Sequence, residues 1–519
     1  MEIKDAQKVN YLKEVLTANI YDVAIVTPLE KANHISNIFD NDIMLKREDK
    51  QMGYSFKIRG ACNKIKKVMK MNNNIVCASN GNHAYAVALI CNKYHCKSTI
   101  ILPKFISSGF INSIEGFNAT TIIHGDTFEE TQCYAKKYAI DNNCVYIDPF
   151  DDIEIIAGNG TIALEIVHQL DSNIENLYAI FVPIGGGGLI AGIASYIKEL
   201  YPHIKIIGVG LENSCSMDES IKKNAVTKLD NIITFVESVA VKTISTNTFN
   251  ICKKYVDEII LVTIDEICTA IKYIHDDIKT IVDPACAMSI AGAGKYIDKY
   301  KIVKKKIIAI MSGGVVNFEK LKFITERANI SNKSEANIKI TIPEEPNSLL
   351  TLLKHIDGTC TSDVMNITTF HYARNDKHNA SIIFGFTIGA DIGTKYIIDA
   401  INSKYKVLEI SHTIINSYIP FLVGGYINNI NKIDDIKEYI FTITLPERPG
   451  ALMDLLTITQ NMINITMFHY NNIGDTKGNI LIGMSLHGIN YSDLINEFNK
   501  ISMITYTDET EFFKKLADV

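Results

Sequence analysis

The segment LYAIFVPIGGGG (177–188) joins a run of apolar residues to four consecutive glycines, and LIAGIASYIKEL (189–200) follows it directly. The apolar run is typical of a strand buried on both faces, and the segment after the glycines has the apolar spacing of a helix. A strand, a glycine-rich turn and a helix form the repeating unit of a parallel sheet covered by helices. The stretch therefore predicts an α/β fold in which ligands bind at the carboxyl ends of the strands.

The same pattern of apolar strand, turn and helix recurs on both sides of this segment. Its other strand candidates are NIVCAS (74–79), STIILP (98–103), TTIIHGD (120–126), IKIIGVG (204–210) and KKIIAIMSGG (305–314). A helix is predicted to begin near Thr127, after the third of them. We therefore expect residues 1–327 to form one domain built on parallel strands.

An internal repeat follows the polar segment ANISNKSEAN (328–337), which is a linker candidate. The aligned pairs are IKITIPEEPNSLLTLL (338–353) with IFTITLPERPGALMDLL (440–456), NITTFHY (366–372) with NITMFHY (464–470), and the strands through Gly385 and Gly483. Each copy has the pattern of a strand, a proline turn, a helix and two more strands, which is an α+β unit. Two copies are too few for a solenoid, which needs three or more repeats.

The two copies predict a pair of small modules, over residues 338–415 and 438–519. Neither copy contains a nucleophile beside a base, or a cluster of metal ligands. We therefore expect the pair to bind a ligand rather than to catalyse a reaction.

Composition excludes several classes of function. The 519 residues carry 52 basic and 58 acidic side chains, a net charge of −6 without a basic block, so nucleic acid is not expected as a partner. No apolar run approaches the roughly 18 residues of a membrane span, and the first residues do not resemble a signal peptide. The 11 cysteines form no CxxC pair and predict no metal site. We expect reduced thiols and a cytoplasmic location.

Four short motifs of the first domain suggest one cofactor. They are KREDKQMGYSFKIRG (46–60), which contains Lys57, then SNGNH (79–83), GGGG (185–188) and SGG (312–314). Taken singly, a lysine is usually a solvated amine and a glycine run a tight turn. Together, an amine, two anion-binding turns and a hydroxyl after a strand match the aldehyde, phosphate, phenolate and ring nitrogen of pyridoxal 5'-phosphate.

Residues 1–327 resemble the fold-type II pyridoxal-phosphate enzymes. The combination of S-F-K-x-R-G, S-x-G-N-H and G-G-G-G looks like the serine/threonine dehydratases. The paired repeats, with PEEP and PERPGAL, look like the ACT-like regulatory modules of the biosynthetic threonine dehydratases. The resemblance covers essentially the whole chain, in the order of that family.

The resemblance implies a role for each motif residue. Lys57 would form the Schiff base and then take the α-proton of the substrate. The other implied contacts are Phe56 beside the cofactor, Asn82 with the phenolate, Gly185, Gly186, Gly187 and Gly188 with the phosphate, Ser312 with the pyridine nitrogen, and Ser79, Asn80 and Gly81 with the substrate carboxylate. An ordinary core phenylalanine is an equally good interpretation of Phe56. His83 is expected to be structural.

Four positions depart from the family pattern. Asn80 replaces a small residue, Asp283 the glutamate of E-P-S-G-A, Ser238 the glycine of E-G-x-A-V, and Val315 the asparagine of S-G-x-N. Several of them are expected near the cofactor, where an added side chain can crowd the ring or the substrate. These departures therefore affect the expected rate and substrate preference more than the expected type of reaction.

The activity that the resemblance implies is the dehydration and deamination of L-threonine to 2-oxobutanoate and ammonia, the first committed step of isoleucine synthesis. The alternatives are a dehydratase that prefers L-serine, and a catalytically decayed protein that senses amino acids. The resemblance also implies a homotetramer and inhibition by isoleucine. The turn at Gly450 and Leu452 is the predicted effector site, because a glycine there lets a carboxylate approach helix N–H groups.

Overall fold

The chain divides into two compact units, Met1–Phe318 and Glu319–Val519. The computed structural model describes residues 9–331, 335–343, 351–352, 355–356, 365–374, 379–388, 393–411, 438–446, 463–471, 477–486, 490–500, 505–511 and 513.

The first unit is an α/β structure. Its strands are β1 (Leu29–Lys31), β2 (Asp42–Arg47), β3 (Asn74–Ala78), β4 (Lys97–Leu102), β5 (Thr120–Ile123), β6 (Val145–Tyr146), β7 (Leu177–Pro183), β8 (Lys205–Leu211), β9 (Glu258–Val262) and β10 (Lys306–Met311). Its helices are α1 (Tyr11–Leu16), α2 (Asn33–Phe39), α3 (Lys57–Val68), α4 (Asn82–Lys93), α5 (Ser108–Glu115), α6 (Phe128–Asp141), α7 (Ile153–Leu170), α8 (Gly188–Leu200), α9 (Ser216–Lys223), α10 (Thr246–Tyr255), α11 (Ile264–Ile278) and α12 (Pro284–Tyr300). Short 3-10 turns lie at Glu48–Lys50, Asp171–Asn176, Glu237–Val239 and Phe318–Lys320.

These strands form two sheets. The larger has the order β1-β2-β10-β7-β8-β9, with β1 antiparallel to β2 and the other pairs parallel. The smaller has the order β5-β4-β3-β6 and is wholly parallel. We call the parts built on them the six-stranded half and the four-stranded half. All the predicted strands of this region are present, whereas β1, β2, β6 and β9 lie outside the predicted segments.

The central strands are buried because helices cover both of their faces. In β10, all five residues after Lys306 are buried, and β7 shows nearly the same pattern. Side-chain caps fix where several helices begin. Thr127 accepts a hydrogen bond from the N–H of Glu130 and starts α6, as the sequence predicts, and Asp283 caps α12 ahead of Pro284.

The carboxyl ends of three parallel strands carry the predicted motifs. Asn82 follows β3, the four glycines follow β7, and Ser312 follows β10. Ligands of open parallel sheets bind at this end of the strands.

The second unit begins with α13 (Leu321–Ser331) and contains two modules. The elements of the first are β11 (Glu335–Pro343), β12 (Met365–Arg374), β13 (Asn379–Ile388), α14 (Thr394–Asn402) and β14 (Lys406–Glu409). Those of the second are β15 (Glu438–Pro446), β16 (Ile463–Asn471), β17 (Lys477–Leu486), α15 (Tyr491–Lys500) and β18 (Thr505–Asp508).

The modules have the same architecture, which confirms the predicted repeat. Their antiparallel sheets have the orders β12-β13-β11-β14 and β16-β17-β15-β18. Both sheets also have a bulge at the same place, because the register shifts at Thr368 in β12 and at Thr466 in β16. Each module adds a helix and a fourth strand that the sequence pattern does not predict.

Candidate active site

One pocket of the first unit contains most of the predicted site residues. The predicted residues that line it are Phe56, Lys57, Asn82, Gly185, Gly186, Gly187, Gly188 and Ser312. Ser79, Asn80 and Gly81 precede Asn82 in the chain but do not line this pocket. Their contact with a substrate carboxylate therefore stays a prediction.

Lys57 and Ser312 come together because the chain segments before and after them pair. Ser55 and Gly313 form an antiparallel bridge. The N–H of Phe56 donates to the Ser312 carbonyl at 3.2 Å, and the N–H of Gly314 donates to the Tyr54 carbonyl at 2.9 Å. These bonds fix the start of α3 against the end of β10.

The Lys57 side chain is partly buried and lines the pocket. Its Nζ donates to the Pro149 carbonyl at 2.7 Å and lies 5.3 Å from the centre of the Phe56 ring. Burial lowers the pKa of Lys57 to about 8, and the charge of Asp148 opposes that shift. The neutral amine, which is the form that attacks an aldehyde, is therefore much more populated at neutral pH than it is for an ordinary lysine.

Asp148 also shapes the loop that meets the lysine. Its Oδ1 accepts hydrogen bonds from the N–H groups of Phe150 at 3.0 Å and Asp151 at 2.8 Å. The loop then packs on the glycines: an ideal Cβ on Gly186 would lie 2.3 Å from the Phe150 ring, and one on Gly188 would lie 2.7 Å from the Phe150 carbonyl oxygen. A side chain at either of these two glycine positions would therefore overlap Phe150.

The glycine loop is also open as an anion site. Gly187 has φ +92°, a conformation that side chains disfavour, and it precedes the first residue of α8. No side chain caps that helix, so its first N–H groups face the pocket with the positive end of the helix dipole. This arrangement favours a phosphate.

A buried ionic network lies on the other side of α3. Arg59 is fully buried and donates to both carboxylate oxygens of Glu48, at 2.7 and 2.8 Å, and to Glu165 at 2.6 Å. Lys46 also pairs with Glu165, at 2.6 Å. The network ties α3 to β2 and α7 through Arg59, which lies two residues after Lys57.

His83 is buried and its Nε2 lies 3.1 Å from the Ile147 carbonyl oxygen. Burial, with the charge of Lys57, lowers its pKa to about 3, so the ring is neutral. The contact ties the start of α4 to Ile147, two residues before Pro149, and supports a structural role for His83.

Two of the four departures line the pocket, namely Ser238 and Asp283. An ideal Cβ on Gly185 would lie 3.2 Å from the Ser238 carbonyl oxygen. Burial raises the pKa of Asp283 to about 7, opposed by hydrogen bonds from the Cys286 N–H and the Asn82 side chain. Asn80 and Val315 are not among the lining residues.

Asn159, on α7, is a site residue that the sequence does not predict. Asn159 lines the pocket and is 1% exposed, and within the described chain its Oδ1 has no hydrogen-bond partner. Buried polar atoms are nearly always satisfied, so this oxygen indicates a donor that arrives with a ligand. The only signal in the sequence is one amide between Gly158 and Gly160 in an otherwise apolar helix.

The predicted effector residues Gly450 and Leu452 lie outside the described residues. Among the described helices, none is long and apolar enough to cross a membrane.

Comparisons with known proteins identify the family. Residues 20–313 match the pyridoxal-phosphate dependent enzymes, and residues 326–418 and 431–513 match the C-terminal regulatory domain of threonine dehydratase. The chain is 35% identical to the biosynthetic L-threonine dehydratase of Pasteurella multocida over 506 residues, which are 96% of either chain. It is 33% identical to that of Escherichia coli, over 94% of this chain and 93% of the relative. The chain belongs to the biosynthetic threonine dehydratase family.

Solved structures agree with this membership. The processed form of threonine deaminase isoform 2 from Solanum lycopersicum is 38% identical, with a TM-score of 0.60 over 62% of this chain and 88% of that one. Serine racemase from Dictyostelium discoideum is 32% identical, with a TM-score of 0.54 over 59% of this chain and 99% of that one. The fold is thus that of a fold-type II enzyme, with a C-terminal regulatory domain.

Pyridoxal phosphate is the cofactor of this threonine dehydratase family, and the pocket fits it. The uncapped start of α8 suits a phosphate, and the buried amine of Lys57 suits an aldehyde. The hydroxyl of Ser312 suits a ring nitrogen, and the orphaned oxygen of Asn159 can accept a hydrogen bond from a ligand in the pocket.

Proposed function

We propose that this member of the threonine dehydratase family converts L-threonine into 2-oxobutanoate and ammonia, with Lys57 as its catalytic base. The observation that carries the proposal is the Lys57 amine, which is buried in the same pocket as the glycine loop and Ser312. Family membership over nearly the whole chain supports the choice of threonine as the substrate.

The residues would divide the work by chemistry. When bound, pyridoxal phosphate supplies an electron sink that acidifies the α-hydrogen of an amino acid. The N–H groups of Gly185 to Gly188 would hold the phosphate, Asn82 would donate to the phenolate, and Phe56 would pack beside the ring. Lys57 would take the α-proton at Nζ, since a pKa near 8 leaves part of the amine free to accept it.

Ser312 would bind the ring nitrogen through its hydroxyl. A neutral hydroxyl does not keep that nitrogen protonated, which weakens the electron sink and shortens the life of negative charge on the α-carbon. Prompt loss of the β-hydroxyl is then favoured over racemisation or transamination. Water completes the reaction, so that one threonine gives one 2-oxobutanoate and one ammonia.

An assay of the purified protein for 2-oxo acid, from threonine and from serine, tests the proposal. Lys57→Ala should abolish product formation and the visible absorbance of bound cofactor. Lys67→Ala is the control in the same helix, because its exposed pair with Glu154 contributes little. Product formation by Lys57→Ala, or none by the parent with either amino acid, would contradict the proposal.

The same assay decides between the remaining candidates. Ser238 adds a side chain to the pocket wall where the family pattern has glycine, and Asp283 is one methylene shorter than the glutamate of that pattern, which favours examining serine as well as threonine. Higher kcat/KM with serine would identify a serine-preferring dehydratase. Cofactor-free protein that binds amino acids without turnover would identify a decayed sensor.

We also propose that isoleucine inhibits the enzyme through its regulatory domain, and that the protein is a cytoplasmic homotetramer. The match to the regulatory domain of threonine dehydratase supports the first part. Inhibition by added isoleucine tests the regulation, a mass by light scattering tests the tetramer, and fractionation of cells tests the location.

A further inference from the structure

Asp283 and Asn82 meet at the edge of the pocket that both residues line. The Oδ1 of Asp283 accepts from the N–H of Cys286 at 2.6 Å and so caps α12. The Asn82 side chain lies beside the same carboxylate, and its N–H groups help to lower the pKa of Asp283 against the effect of burial. An ideal Cβ on Gly313 would lie 2.9 Å from the Asp283 Oδ2 and 3.2 Å from the Asn82 Nδ2, so both atoms lie against this glycine.

The contact joins the two halves of the first unit. Asn82 is the first residue of α4, which packs on β3 and β4 of the four-stranded half. Asp283 precedes α12, which packs on the strands of the six-stranded half. Because the cap bond fixes its first oxygen, Asp283 presents the second oxygen to Asn82 in one defined position.

That position has a consequence for the amide of Asn82. A carboxamide can turn by half a rotation and exchange its nitrogen for its oxygen, and the two ends have opposite hydrogen-bonding roles. An ionised carboxylate only accepts hydrogen bonds, so it selects the orientation with the nitrogen toward Asp283. The nitrogen carries two hydrogens, and one of them remains for a ligand in the pocket.

We propose that Asp283 is a positioning residue for the Asn82 amide. One N–H of the amide nitrogen points to the Asp283 carboxylate, so the second N–H of the same nitrogen can donate to the phenolate oxygen of pyridoxal phosphate. The proposal rests on the proposed function, because it assumes that the cofactor binds at this pocket. It assigns a role to a position where the family pattern has glutamate and this chain has aspartate.

Asp283→Asn separates the positioning role from the helix cap. Asparagine caps helices as well as aspartate does, so α12 should keep its cap and the Tm should stay near that of the parent. Its own NH₂ group, however, would face Asn82 and turn the oxygen of that amide toward the pocket. The phenolate would then meet an acceptor instead of a donor.

The measurement is the absorbance spectrum and the Kd of pyridoxal phosphate added to cofactor-free protein, at a pH above the pKa of Asp283. For Asp283→Asn we expect a shift of the visible band to shorter wavelength and a Kd at least about tenfold higher. Asp283→Glu should restore the band, since it keeps the acceptor. Asp152→Asn is the control: Asp152 caps α7 and does not line the pocket, so the spectrum and Kd should not change.

An unchanged spectrum and Kd in Asp283→Asn would overturn the proposal. Should that variant fail to fold, Asp283→Ser, which caps the helix without reaching Asn82, should show the same direction of change; a parent-like spectrum there overturns it too. Asn82→Ala alone should shift the band in the same direction, and the double variant should shift it by less than the sum of the two single shifts; additive shifts would contradict an action through Asn82. A parent protein that binds no pyridoxal phosphate would refute the proposed function itself, and the positioning role with it.

Discussion

At the scale of single residues, burial sets the chemistry of the pocket. Burial lowers the pKa of Lys57, whose Nζ donates to the Pro149 carbonyl oxygen. Asp283 is driven toward its neutral form by the same effect. Two groups that are charged in water thus approach neutrality, with pKa values near the physiological range.

The pKa of Lys57 gives a testable pH dependence. Only the neutral amine attacks an aldehyde, so the rate of cofactor capture by cofactor-free protein should rise with pH, with a midpoint at about 8. Asp148→Asn should move the midpoint to lower pH, because the lost negative charge favoured the protonated amine. Stopped-flow absorbance measures the rate, and Asp151→Asn serves as the control. A midpoint near the ordinary lysine value would contradict the buried amine.

Residues also show where prediction from sequence stops. Lys57, Asn82, the four glycines and Ser312 could be found because each belongs to a short motif at a strand end. Asn159 could not, since a single amide on a helix has no motif and its importance comes from the orphaned oxygen. Asp283 could be noticed only as a departure, because its partner Asn82 is distant in the sequence and close in space.

At the scale of elements, the predictable strands are those with continuous apolar runs. β7 and β10 are of this kind, whereas β2 ends in Lys46 and Arg47, which sequence patterns assign to the surface. Both side chains are buried because ion pairs compensate for their charges. β6 is too short for a pattern, with two residues. Pairing in space, rather than local sequence, decides these elements.

The packing of Phe150 on the glycine loop gives a prediction about cofactor binding and stability. Gly186→Ala should weaken cofactor binding and lower the Tm, because its Cβ would overlap the Phe150 ring at 2.3 Å and push the loop away. Gly109→Ala in α5 is the matched control. Nothing lies within 4 Å of its Cβ, so its free energy of unfolding should be equal or up to about 1 kcal/mol higher. Equal cofactor Kd values in both variants would contradict the tight loop.

The buried ionic network gives a prediction about stability. Glu165→Gln removes the shared partner of Arg59 and Lys46 and leaves two buried cations with one carboxylate fewer. We expect a loss of about 3–5 kcal/mol in the free energy of unfolding, measured by urea denaturation. Asp218→Asn, which breaks a surface pair with Lys222, should cost less than about 1 kcal/mol. Similar losses in the two variants would show that the buried network contributes no more to the free energy of unfolding than a surface ion pair does.

At the scale of the whole molecule, the chain combines a catalytic unit with a pair of repeated modules. The first unit holds the pocket, and the second holds two sheets of identical strand order. A ligand of the modules can change catalysis only if it binds two states of the enzyme with unequal affinity. We propose the limits 1–327, 338–415 and 438–519 for the catalytic domain and the two modules.

The repeat leads to a prediction about inhibition. Gly450 in the second copy corresponds to Asn347 in the first, and a side chain there should crowd the approach of an amino acid. Gly450→Asn or Leu452→Phe should therefore weaken inhibition by isoleucine while uninhibited turnover stays close to that of the parent. Asn347→Ala is the control in the first copy. If both variants respond to isoleucine as the parent does, the effector site lies elsewhere; if the parent ignores isoleucine, the regulatory proposal fails.

The matching bulges at Thr368 and Thr466 keep the two modules in step with each other. One extra residue in a strand turns every later side chain to the other face, so such an insertion survives only where the rest of the sheet suits it. Each bulged strand therefore pairs with its neighbour in the same register before and after the extra residue, so a backbone position in one module has a counterpart at the same place in the other.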